Sequence, residues 1–157
     1  MQLVRMLPPN THADEALALL DKFLTAYPQI PELRSDQAYL SLLVGRDIEA
    51  AHATARELFY QKPEYLAYLS VLALAELRSG HPVEAARLYE GRNIAWNDSP
   101  PPFKAVRIAV LEANGLAVEA EALRATILPA ALRPEERELV RKASAPPKAA
   151  PAILRTE

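Results

Sequence analysis

Apolar residues recur at intervals of three and four along most of the chain, and the residues between them are polar or small. That is the period of an α-helix with one buried stripe, and the wealth of Ala, Leu, Glu and Arg with few β-branched residues agrees with it. The spacing predicts a helix over 13–26 with Ala16, Leu17, Leu20, Phe23 and Leu24 on one stripe. Asp14 and Glu15 fall in its first turn, where the helix dipole favours negative charge, and Tyr27-Pro28 ends it. A second helix, 31–44, opens on Pro31 and turns Leu33, Ala38, Leu42 and Leu43 inward. Gly45 closes it as a left-handed cap. A third runs over 47–61 and stops at Lys62-Pro63, because proline disfavours helix in the residue before it. Further helices are predicted over 65–78, closed by Gly80, and over 82–95, opened by Pro82 with Glu84 in the first turn.

Trp96 to Phe103 departs from this pattern, reading as a polar turn and a short polyproline stretch, with an aromatic contact expected between Trp96 and Phe103. Helices over 103–114 and 117–127 follow, separated by Gly115. A last, shorter and strongly charged helix from Pro134 to about Lys142 has the character of a terminal cap on a stacked array. From Ser144 onward the chain is mostly Ala and Pro, too poor in large apolar residues to order itself, so a mobile tail is expected over 144–157. The division expected is therefore a lead-in over 1–12, a helical domain over 13–143, and the tail.

The glycines mark a repeat. Gly45, Gly80 and Gly115 stand at intervals of 35 residues, and Glu49-Ala50, Glu84-Ala85 and Glu119-Ala120 follow them at the same offset. Glu15-Ala16 supplies an earlier copy. Ala16, Leu20, Phe23 and Pro28 form a small, bulky, terminal-proline pattern, repeated in part by Ala85 and Tyr89. In the copy between them, Ala50 and Ala51 fit the small position equally well. In the first helices, Leu69, Leu72 and Ala73 match more loosely, and Glu76 stands at the usual tyrosine place. Over roughly 13–127 the chain resembles the tetratricopeptide repeats, helix-turn-helix units that stack side by side. The resemblance implies an all-α, right-handed solenoid of antiparallel helix pairs, about three and a half repeats plus a C-terminal capping helix. Met1 to Leu7 is too short for the leading helix of the first pair, which is compatible with the chain being part of a longer one.

Composition narrows the functions that fit. Of 157 residues 50% are hydrophobic and 24% charged, enough to bury a core. A net charge of −2 supplies no positive field for nucleic acid or anionic lipid. No cysteine is present, so thiolate chemistry and disulfides are excluded. No segment has the apolar length to span a bilayer, and no signal-like stretch opens the chain, which makes a cytoplasmic location the expectation.

Candidate chemistry is sparse. His12, His52 and His81 belong to different repeats and no cysteine accompanies them, so neither a metal nor a cofactor is expected. Glu49, Glu84 and Glu119 recur near helix starts, where the dipole explains them without catalysis. No phosphate-binding glycine loop, nucleophile elbow or zincin motif occurs. An enzyme is therefore not expected.

The resemblance implies instead a protein-interaction scaffold or chaperone-like adaptor, whose first helices line a concave groove for a peptide or helix of a partner. The residues it would place there are Ser35, Tyr39 and Leu43, then Ser70, Leu74 and Arg78, then Ala105, Ala109 and Glu112. The same stripe fits packing between helices as well as it fits a groove. Arg78, offset by Glu112, is no substitute for the basic clamp some members use to hold a terminal carboxylate. Two alternatives stand beside this reading: single-stranded RNA binding by a pentatricopeptide-like array, against which the charge argues, and a structural arm of a larger protein. A homodimer is compatible with the exposed ends of a short array.

Overall fold

In a computed structural model, which describes residues 6–143, the regular elements of the described residues are helical. The expected tail over 144–157 lies outside them. The first helices begin and end where the sequence signals stand: α1 is Ala13–Ala26, α2 Pro31–Val44, α3 Ile48–Gln61 and α4 Leu66–Arg78. Gly45, Gly80 and Gly115 take φ of 74°, 82° and 76°. Each is followed by one bond of identical form, Arg46 N–H to Ser41 O, His81 N–H to Glu76 O and Leu116 N–H to Leu111 O, all 2.9 Å. This closure needs a left-handed residue just past the helix, which glycine adopts without a Cβ penalty.

The chain departs from its sequence signals in the third and fourth copies. Helix α5 covers only Pro82–Arg87, not the 82–95 expected. Beyond it Tyr89, Glu90 and Arg92 donate to the carbonyl three residues back, and Gly91 turns to a φ of 68°, which a continuing helix does not accept. Helix α6, Pro101–Ala113, starts earlier than expected, because Pro101 and Pro102 form its first turn rather than a polyproline strand. Their missing N–H groups cost nothing at positions that have no intrahelical acceptor. A 3₁₀ turn, Trp96–Asp98, leads into it. Helix α7 is Ala117–Arg124, ending short of the expected Ile127, and α8 is Pro134–Ala143.

Consecutive helices pack against each other, and the pairs α2–α3, α4–α5 and α6–α7 nest. α4 lies against both α2 and α3, and α6 against both α4 and α5. The centre of the core is α4, in which every residue from Ala67 to Ala75 is buried. Such a helix cannot face water on any side, and each large side chain it removes from solvent contributes about 2 kcal/mol. The alanines at the repeat position, Ala16, Ala51, Ala85 and Ala120, are all buried. Ala50 is exposed, so Ala51 is the member of that pair that packs. A methyl group there lets two helix axes approach closely.

Candidate interaction groove

The residues assigned to the groove lie on α2, α4 and α6, the row of first helices. Ser35, Tyr39, Leu43, Ser70, Leu74, Ala105 and Ala109 are buried, with only Leu43 and Ala109 above 1% exposure, at 6% and 8%. Arg78 and Glu112 are half-buried. The stripe is therefore covered rather than open, partly by neighbouring helices and partly by α8.

Helix α8 packs on α6 and reaches back to α2. Val140 joins Ala105, Ile108, Leu111 and Leu123 in one apolar cluster, as a terminal cap would. The contact with α2 goes beyond a cap. Glu136, 1% exposed, accepts a hydrogen bond from the Tyr39 hydroxyl at 2.7 Å through Oε1 and one from the Arg133 backbone N–H at 2.8 Å through Oε2. The second bond is the returning half of a capping box, with a glutamate three residues into the helix serving an orphan N–H. Burial pushes the Glu136 carboxyl above its ordinary range against the pull of both donors, and pushes the Tyr39 phenol well above its own.

The N-terminal segment completes the contact. Arg133 donates to Thr11 O at 2.8 Å, and His12 Nδ1 pairs with Glu135 Oε1 at 2.9 Å. That hydrogen bond raises the His12 pKa. His12, Asp14 and Glu135 bring donor atoms within 4.8 Å of one another. Both carboxylates sit in the first turn of a helix, where the dipole accounts for them.

Arg78 and Glu112 do not face each other as a charged pair. Arg78 donates to Leu42 O at 2.9 Å and Leu43 O at 3.2 Å, satisfying carbonyls at the end of α2, and burial lowers its pKa. Glu112 accepts from Arg124 at 2.6 Å. Trp96 takes a different ring from the one expected: it packs on Tyr89, centroids 5.8 Å apart, while Arg107 stacks on Tyr89 at 4.5 Å. Phe103 is buried in the main core.

Two histidines read as unrelated meet at Glu76. His52 Nε2 lies 2.9 Å from Oε1 and His81 Nδ1 3.1 Å from Oε2, joining α3, α4 and the turn before α5. The signal was the departure at Glu76 itself, a carboxylate standing where the repeat pattern has tyrosine. Glu136 gave no such signal, because its acidic neighbours made it look like one more solvated charge.

No protein-family model, no curated protein and no solved structure matches the chain. Among the described residues no helix is long and apolar enough to cross a membrane.

Proposed function

We propose that the chain is a non-enzymatic scaffold, a tetratricopeptide-like right-handed solenoid that holds a peptide or helix of a partner protein along its row of first helices. Three features support the architecture: the identical glycine closures at equal intervals, the buried alanine in each copy, and the nesting of each first helix between both members of the preceding pair. The observation that carries the function is α8. The chain's own last helix lies from α6 to α2 across the row, and this supports the reading that the row takes a helix against it. A preformed seat lowers the ordering cost of binding a flexible segment.

A photo-crosslinking amino acid at Val44, beside the seat, and at Ala53, on the exposed side of α3, tests this. In extract of the native cell, a polypeptide should crosslink from Val44 and not from Ala53. Crosslinks from Ala53 alone, or to RNA in place of protein, would overturn the reading.

A further inference from the structure

We propose that Arg107, laid on the ring of Tyr89 beside the junction of α5 and α6, is the binding site for one side-chain carboxylate, a glutamate or aspartate of a partner segment. The proposal rests on the scaffold reading above for the source of that carboxylate. The site begins as a departure from the repeat. Arg107 stands 35 residues after Leu72, the interval that separates Gly80 from Gly115, and Leu72 is buried in the main core. A position that packing fills with leucine in one copy carries a guanidinium in the next. From Phe103 to Leu111 every other residue of α6 is buried, so Arg107 is the side chain that the middle of this first helix leaves within reach.

A guanidinium drawn out of water needs acceptors for its N–H donors. Among the described residues, the other arginines withdrawn from solvent all have them: Arg34 donates to Glu57, Arg124 to Glu112, and Arg78, Arg133 and Arg137 to backbone carbonyls. Arg107 donates to none. Its guanidinium lies over the Tyr89 ring, 4.5 Å from the centroid, and burial lowers its pKa against the pull of Tyr89 and Glu119. A ring face attracts the charge and holds the guanidinium plane, which leaves its fork of donors for a planar carboxylate. Beside the pair opens a surface hollow of about 160 Å³, lined by Arg107, Tyr89 and Glu90 with the apolar Ala86, Val110 and Leu116. It has room for a single side chain, and its apolar wall suits a methylene stem. Glu90 in the lining and Glu119 near the guanidinium repel a doubly charged phosphate more than a singly charged carboxylate.

The test titrates the full chain with N-acetylglutamate methylamide at about pH 7.5, where its side chain is ionised, and at constant ionic strength, following the backbone amide signals of Arg107 and Tyr89 by NMR. The signals should move and saturate with a Kd on the order of 10 mM. The uncharged glutamine analogue should leave them in place, and Glu90→Gln should tighten the carboxylate about three-fold. Arg107→Leu, which restores the residue of the earlier copy, should keep the helix content and lose the binding. No saturation, an equal response to the glutamine analogue, tighter binding of inorganic phosphate, or binding that survives in Arg107→Leu would overturn the proposal. Should Arg107→Leu fail to fold, Glu90→Gln decides, and an affinity unchanged or weakened in that variant would sink it. If the carboxylate fails to bind while crosslinks still form from Val44, the site is wrong and the scaffold reading stands.

Discussion

Replacing Tyr39 by phenylalanine would remove one oxygen from the middle of the molecule and leave a buried carboxylate short of a donor. Glu136 would keep the Arg133 N–H but lose the hydroxyl at 2.7 Å, and water has no easy way to a side chain 1% exposed. A hydrogen bond to a charged buried group is worth about 2 kcal/mol, so Tyr39→Phe should lower stability by that amount in urea unfolding, despite keeping the ring. A change under about 0.5 kcal/mol would mean the bond is not made in solution. The helical stripe marks Tyr39 as inward-facing, but its partner lies 97 residues further on. Nothing local in either segment announces that pairing, since a tyrosine on an apolar stripe and a glutamate in an acidic first turn are each satisfied by simpler accounts.

Helices that end in a left-handed glycine or before a proline are legible from sequence, because both signals act within one turn of the chain. α1 to α4 show this, each within a residue of its expected limits. α5 does not, because Gly91 looks like a tolerated interruption of an amphipathic stripe until its positive φ is seen. α6 fails in the opposite direction, since three consecutive prolines suggest an extended strand, yet two of them serve as a first turn. The choice between Ala50 and Ala51 belongs to this scale as well. Ala51 is 5% exposed and Ala50 lies on the surface, so Ala51→Leu should force the helices apart and cost about 2 kcal/mol. Ala50→Leu should stay within about 0.5 kcal/mol, and thermal melts of the two variants compare them directly.

Across the whole molecule, most contacts join helices that are neighbours in sequence, which is why the repeat could be recognised from spacing alone. The contacts that span the greatest stretch of chain gather in one place, where Arg133 and Glu135 hold Thr11 and His12, more than 120 positions away. A string of nested pairs would otherwise behave as a spring, lengthening under small loads as its coils open. Fastened end to end, it behaves as a buckled strap. In an optical trap with handles at residues 7 and 141, a single rupture releasing little length should come first, followed by stepwise yielding of the pairs. Arg133→Ala, which removes one of several ties, should lower the force of that first event and leave the later steps at their original forces.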